Sequence, residues 1–145
     1  MPIQWTDPNT KLTQYFTVKD ALWLPTWNRL AIAKDGLGPT QQANLSMLMV
    51  VMDKVRAFLA KPIIVHVSFR PYAYNKLIGG ALNSSHVEGK ACDFHVAGMT
   101  CDAVRAALLP KLEEWGLRME NLPGSSWVHL DTRPVPKGGT RFFKP

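Results

Sequence analysis

The stretch Ser84-Ser85-His86-Val87-Glu88-Gly89-Lys90-Ala91-Cys92-Asp93 contains a dense group of candidate ligands, and Trp127-Val128-His129-Leu130-Asp131 follows it later in the chain. The first segment has the form Ser-x-His-x-x-Gly-x-Ala-x-Asp. His86, Asp93 and His129 would together supply two imidazoles and one carboxylate, a ligand set that suits Zn²⁺. Three protein ligands leave a fourth position for water, as in catalytic zinc sites. We therefore predict one zinc ion per chain, held by these three residues.

Two neighbouring strands would bring the later ligands together. Successive side chains point to opposite faces of a strand. On a strand over residues 92–96, Asp93 therefore lies opposite the apolar residues that alternate with it. On a strand over residues 127–131, His129 and Asp131 share the face opposite the apolar side chains. The alternative explanation is purely structural: a Ser/Gly loop followed by a buried strand, with His129 as a core histidine.

The combined pattern resembles the zinc D-Ala-D-Ala carboxypeptidase family of peptidoglycan peptidases, which shares its fold with VanX-type dipeptidases and the hedgehog signalling domain. The resemblance extends from about Phe16 to the C-terminus. It implies an α+β fold in which a small antiparallel sheet carries the zinc site and packs against two or three helices. It also implies a zinc metallopeptidase that hydrolyses an amide bond of the peptidoglycan stem peptide, as a carboxypeptidase or an endopeptidase.

The resemblance further implies substrate-binding residues. The segment Val67-Ser68-Phe69-Arg70-Pro71 is similar to a strand-end motif in which the arginine binds substrate and stabilises the developing oxyanion. Ser84 would hydrogen-bond substrate beside the first ligand. Asn75 and Gly79-Gly80-Ala81 also match the approach to that ligand. The alternative explanation for Arg70 is an ordinary surface arginine.

The general base is where the chain departs from this pattern. Many relatives have a glutamate three residues before the last zinc-binding histidine, and Ser126 occupies that position here. Two carboxylates remain as candidates, Glu120 and Asp131, and we favour Glu120. Asp131 would alternatively orient a ligand. His95 could be another ligand or an orienting group, but it lies outside the motif.

Apolar periodicity and turn residues predict the remaining elements within one domain over residues 1–145. In chain order they are an irregular arm (1–16), a short helix that starts with a Thr17 capping box and ends near Trp23, a helix from Thr40 to Ala60, a strand from Pro62 to Arg70, a loop from Tyr72 to Ser85, a helix from Cys101 towards Trp115 that bends at Pro110, a loop from Leu117 to Ser126, and a wrapping tail (132–145).

The composition is that of a globular protein, because 46% of the 145 residues are hydrophobic and 19% are charged. The net charge of +6 favours anionic partners. Nucleic acid is one such partner, but the basic residues are scattered and no nucleic-acid motif is present. Anionic cell wall fits equally well. We expect a monomer that binds peptidoglycan stem peptides, without nucleic-acid binding or membrane insertion.

The location of the protein follows from two further features. No secretory leader precedes the first helix, so we expect synthesis in the cytoplasm and action on the wall after phage-type release or as part of a virion. The segment Lys137–Phe143 resembles the ending of phage-borne family members.

A second hypothesis is a catalytically silent zinc-binding module of the same fold, since the usual glutamate before His129 is missing.

Overall fold

The computed structural model describes residues 2–145 and has an α+β architecture, as predicted. Among these residues there are five α-helices and seven short strands. The helices are α1 (Val18–Leu22), α2 (Pro39–Leu59), α3 (Tyr72–Leu77), α4 (Cys101–Leu108) and α5 (Leu112–Trp115). The strands are β1 (Trp23–Leu24), β2 (Arg29–Leu30), β3 (Ile63–Val67), β4 (Ala91–Val96), β5 (Arg118–Glu120), β6 (Val128–Asp131) and β7 (Phe142–Phe143).

The main sheet has the strand order β3-β4-β6-β5-β7, and β1 and β2 form a separate two-stranded ribbon. All neighbouring pairs of the main sheet are antiparallel except β5 and β7, which are parallel. One face of the sheet packs against α1, α2 and α4 through a continuous apolar core. The opposite face is therefore available for a site.

Helix α2 supplies much of that core, and its bounds differ from the prediction by one residue at each end. Its apolar residues recur every three or four positions, so they lie on one stripe of the helix. The buried members are Leu45, Leu48, Met49, Met52, Val55 and Leu59. Pro39 stands in the first turn, where a missing N–H costs nothing, and Ala60 ends the helix in the left-handed conformation. The methionine stripe therefore packs in the core.

Strands β4 and β6 have the predicted alternation. Cys92 and Phe94 of β4 are fully buried in the core, as are Val128 and Leu130 of β6. Burial also raises the pKa of the Cys92 thiol well above its usual range, so this cysteine behaves as a small apolar residue. The polar residues of both strands therefore lie on the face away from the helices.

A β-bulge interrupts the long strand predicted from Pro62 to Arg70. Val65 pairs with Phe94 and Val67 pairs with Asp93, so His66 is the extra residue of β3. The strand ends at Val67. A bulge re-aims the side chains that follow it, so Val67 lies in the row of Asp93 rather than on the core face with Val65.

The predicted helix from Cys101 to Trp115 is present but divided. Helix α4 ends at Leu108, a 3-10 turn spans Leu109–Lys111, and α5 follows. Pro110 lies within that turn, where it cannot donate the N–H that a continuous helix needs. Gly116 ends α5 with a φ of 66°, the left-handed conformation that is typical of a glycine cap.

Three elements lie in segments predicted to be irregular. Helix α3 lies in the loop after Arg70, β5 lies in the loop before the second motif, and β7 lies in the tail. The two strands have only three and two residues, so they have little local signal and depend on pairing with neighbours. Residues 2–16 form turns and one isolated bridge between Lys11 and Thr17. No helix of the described residues is long and apolar enough to cross a membrane.

Helix α2 holds the loop of the first motif at close range. Gly89 has a φ of +75°, and a Cβ built there would lie 2.9 Å from the backbone oxygen of Gln41. The side-chain amide of Asn44 also donates to the Glu88 carbonyl at 2.9 Å. Glycine is therefore required at position 89 both for its backbone conformation and for the close approach of the helix.

We predict that Gly89→Ala lowers the free energy of unfolding by about 2–4 kcal/mol, because strain and overpacking act together. Gly138→Ala is the matched control, since Gly138 has a φ of +77° and nothing within 4 Å of a built Cβ. It should lose only about 1 kcal/mol from backbone strain. Urea unfolding in the presence of chelator measures both. Equal losses in the two variants would contradict the packing argument.

Candidate metal centre

The three predicted ligands converge at the centre of the sheet. The Oδ1 atom of Asp93 lies 3.1 Å from Nε2 of His86 and 2.8 Å from Nδ1 of His129. One potential ligand atom from each residue lies within 4.8 Å of the other two. All three residues are buried, with exposed fractions of 3%, 7% and 5% for His86, Asp93 and His129. The fold thus assembles the donor set of a metal site from two distant segments.

The outer nitrogen of each imidazole already has a partner. His86 donates from Nδ1 to the Ser68 carbonyl oxygen at 2.7 Å, because that oxygen can only accept. His129 donates from Nε2 to Oδ2 of Asp131 at 2.9 Å. In the neutral rings, the inner nitrogens therefore present lone pairs to Asp93. Such outer partners fix the tautomer and orientation of metal-binding histidines.

Three electron-rich atoms that face one another are stabilised by a proton or a metal cation between them. Burial alone lowers the pKa of His129, but hydrogen bonds to Asp131 and Asp93 outweigh it and raise that pKa to about 9. Burial alone raises the pKa of Asp93, but His86 and His129 lower it well below its usual range. The centre therefore stabilises a positive charge between the three side chains. Two nitrogens and one carboxylate oxygen match the preference of Zn²⁺, so the residues fit this ion.

Asp131 is an anchor for His129. Its carboxylate is fully buried and accepts from Nε and an Nη of Arg118 at 2.7 and 2.9 Å, in addition to His129. Burial alone raises the pKa of Asp131, but the hydrogen bonds with His129 and Arg118 lower it. A carboxylate held by so many donors is poorly placed to accept a proton from substrate water. Asp131 therefore links the ring of His129 to Arg118.

The site is built on one row of residues that crosses the whole sheet. Val67 pairs with Asp93, and Asp93 pairs with His129. Arg118 pairs with Asp131 and Met119 with Leu130, so the next residues along these strands, Glu120 and His129, are also neighbours. Glu120 in turn pairs with Phe143. The row Val67, Asp93, His129, Glu120 and Phe143 takes one residue from each of the five strands.

Glu120 approaches the ligands from the side opposite Asp93. Its Oε1 atom lies 3.9 Å from Nδ1 of His129, the nitrogen that also faces Asp93. The side chain is 21% exposed, so it is reachable from solvent. Strand β5, which lies in the segment predicted to be a loop, fixes Glu120 beside the ligand set without making it a ligand.

Arg70 lies in the wall of the site rather than on an open surface. It donates to Oδ2 of Asp93 at 3.3 Å and to Oδ1 of Asn75 at 3.4 Å. Its Nε is buried and has no hydrogen-bond partner in the described part of the chain. A Cβ at Gly80 would meet Oδ1 of Asn75 at 2.0 Å, so Gly80 allows Asn75 to hold the guanidinium. The Arg70 side chain is 17% exposed and lines the cavity, so part of its guanidinium is accessible there.

Ser84 and His95, the two other residues considered from the sequence, lie in different places. Oγ of Ser84 accepts the backbone N–H of His86 at 3.2 Å, and Ser84 lies on the cavity wall. His95 is not part of the ligand group. Its Nδ1 lies 2.6 Å from Nε2 of His66, the residue that the β-bulge adds. His66 lines the cavity and His95 contacts His66, whereas the group of potential ligands among the described residues does not include His95.

A cavity of about 570 Å³ opens over this row of residues. Its walls include Arg70 and Ser84 on the side of the first motif, and Trp127, Phe143 and Lys144 on the side of the second. Cavities of this volume accept a small peptide-like ligand. The metal ligands are therefore accessible from a groove rather than sealed in the core.

The family pattern described as Peptidase M15 matches residues 27–131. The chain belongs to the peptidase M15 family. The resemblance inferred from the motif is thus confirmed, and membership supports assignment as a zinc-dependent metallopeptidase. The buried group of His86, Asp93 and His129 is consistent with the zinc dependence of the family. No curated protein matches the chain.

Sequence reasoning missed Arg118, Ser68 and Phe143 as parts of the site. A signal for Arg118 existed, since the buried Leu117 and Met119 alternate with Arg118 and Glu120 as on a strand with one core face. Ser68 acts through its carbonyl group, which no side-chain pattern can indicate. Phe143 lies in the segment that resembles the ending of phage-borne family members, but its pairing with β5 across a long connection has no local signal.

We predict that Asp131→Asn weakens zinc binding about 10- to 100-fold, because the ring of His129 loses its charged partner. Asp102→Asn is the matched control, since Asp102 pairs with Arg105 at 2.7 Å but is exposed and contacts no ligand. Competition with a chromophoric chelator gives both dissociation constants. If Asp131→Asn is as stable as the Asp102→Asn control and its zinc affinity is unchanged, Asp131 does not anchor His129.

Proposed function

We propose that this protein is a zinc peptidase that hydrolyses an amide bond in the peptidoglycan stem peptide. The buried convergence of His86, Asp93 and His129 beneath an open cavity carries this proposal. Membership of the peptidase M15 family supports the reaction type. A zinc ion held by these three residues would polarise the scissile carbonyl and lower the pKa of a water molecule.

Glu120 is the proposed general base. It would take a proton from the attacking water and deliver it to the leaving amine. Its carboxylate is close to the ligands, since Oε1 lies 3.9 Å from His129, yet it is not committed to a hydrogen bond with them. Asp131 would keep the ring of His129 oriented during this transfer. The missing glutamate at position 126 is then replaced by one on the neighbouring strand.

Arg70 and Ser84 are the proposed substrate contacts. Arg70 lines the cavity, and its guanidinium could donate from an Nη group to the oxyanion that develops on the scissile carbonyl, or to a substrate carboxylate. Asn75 keeps the guanidinium beside Asp93, so this charge is already positioned before substrate arrives. Ser84 would donate its hydroxyl hydrogen to a substrate carbonyl, because its oxygen already accepts from His86.

Peptidoglycan as substrate, and a phage lysis or virion setting, are parts of the same proposal. The net charge of +6 suits an anionic wall polymer. The groove is open over the centre, which accommodates either a chain end or an internal bond, so both carboxypeptidase and endopeptidase activity belong to the proposal.

Digestion of purified muropeptides, followed by mass spectrometry, tests the proposal and identifies the bond. We expect loss of a terminal D-Ala or cleavage within the stem peptide, abolished by chelator and restored by Zn²⁺. A protein that binds one zinc per chain yet leaves every muropeptide intact would instead be the catalytically silent module. That result would refute the proposed function.

We predict that Glu120→Gln lowers kcat by about 10²- to 10⁴-fold, because the amide cannot accept the proton of the attacking water. Zinc affinity should stay close to that of the parent protein, since Glu120 is not in the ligand set. Glu113→Gln is the control, because Glu113 lies on the exposed face of α5. Retention of full activity in Glu120→Gln would exclude this residue as the base.

A further inference from the structure

The strand β7 lies beyond the part of the chain that matches the family. The match ends at residue 131, whereas β7 begins at Phe142. The strand nevertheless belongs to the main sheet, because Met119 donates to the Arg141 carbonyl and Asn121 donates to the Phe143 carbonyl, both at 2.7 Å. These bonds hold β5 on its outer edge. Without β7, the three-residue strand that carries Glu120 would be an edge strand with unpaired backbone groups.

The side chain of Phe143 contacts two members of the centre directly. Its ring meets the ring of His129 edge to face, with centroids 6.1 Å apart and an interplanar angle of 86°. The guanidinium of Arg118 lies over the same ring at 4.3 Å. Both arrangements are attractive, the first through the ring quadrupoles and the second through a cation–π interaction. Phe143 therefore packs against both ends of the chain of contacts that runs from Arg118 through Asp131 to His129.

The position of Phe143 in the pairing register explains this role. It is paired with Glu120, and it is the last residue of the row that crosses the sheet through Asp93 and His129. It also lines the cavity above the centre. A single side chain on β7 can thus restrict the ring of His129, the head group of Arg118 and the strand that carries Glu120.

We propose that Phe143 is a positioning residue of the metal centre, and that the C-terminal strand β7 completes the active site on the side of Glu120. Phe143 acts on zinc affinity by fixing the orientation of the His129 ring and of the Arg118–Asp131 pair that anchors it. It acts on turnover by fixing Glu120. The second effect rests on the proposed peptidase function, whereas the first does not.

Substitutions at position 143 distinguish the effect of the aromatic ring from the effect of strand β7 itself. Phe143→Leu keeps an apolar side chain on β7 but removes the ring that His129 and Arg118 contact. We expect it to weaken zinc binding about threefold to tenfold, less than the loss of a direct histidine partner. Its kcat should fall more than its KM changes. Phe143→Tyr keeps the ring, so its zinc affinity and its kcat should equal those of the parent protein.

Phe58 offers a matched control with the same two kinds of contact away from the centre. Its ring meets that of Trp115 edge to face at 5.4 Å, and Nζ of Lys111 lies 5.3 Å from its centroid. Phe58→Leu should change the unfolding temperature only, with zinc affinity and kcat as in the parent protein.

Chelator competition, thermal unfolding and muropeptide hydrolysis on the full chain test the inference. Weaker zinc binding in Phe143→Leu, with recovery in Phe143→Tyr and no change in Phe58→Leu, supports it. Zinc affinity and kcat in Phe143→Leu that equal those of Phe58→Leu would overturn it. If the parent protein hydrolyses no muropeptide, the zinc measurements still decide the positioning role, so failure of the proposed function is distinguishable.

Discussion

The antiparallel pairing of Asp93 with His129 is the constraint on which the rest of the site depends. It places a carboxylate and an imidazole side by side on a buried sheet face, 2.8 Å apart. His86 then approaches from a loop that Gly89 allows to pack closely against α2. Because the strands are held by core residues on their other face, the two ligands cannot separate without disruption of the sheet. The core helices and the metal centre therefore lie on opposite faces of the same sheet.

The hydrogen bonds around the ligands determine what the centre can bind. The outer nitrogens of both histidines donate to fixed acceptors, the Ser68 carbonyl and the Asp131 carboxylate. Their inner nitrogens and Asp93 thus form an electron-rich pocket that attracts a cation or protons. Arg118 neutralises Asp131 from behind, and Arg70 lies beside Asp93. The two arginines thus offset the negative charge of the two carboxylates.

The ligands and the core could be predicted from the sequence because each has a strong local signal. The motif from Ser84 to Asp93 fixes the order of ligand residue types, and the apolar period of α2 fixes its buried stripe. The bulge at His66 was not predictable, because a bulge depends on how two strands pair and the residue types of β3 alone permit regular alternation. Strands β5 and β7 were missed since each is defined by its neighbours rather than by its own sequence. As a result, Glu120 could be nominated only for its nearness in sequence, and the role of Phe143 emerged only from the sheet register.

Zinc K-edge X-ray absorption of the zinc-loaded protein tests the central claim most directly. The account predicts one zinc per chain, a shell of nitrogen and oxygen ligands at about 2.0–2.1 Å, and the multiple-scattering pattern of two imidazoles. Replacement of either His86 or His129 should remove one imidazole from that pattern. A sulfur shell at about 2.3 Å, or a spectrum with no imidazole contribution, would show that the ion binds elsewhere and would contradict the account.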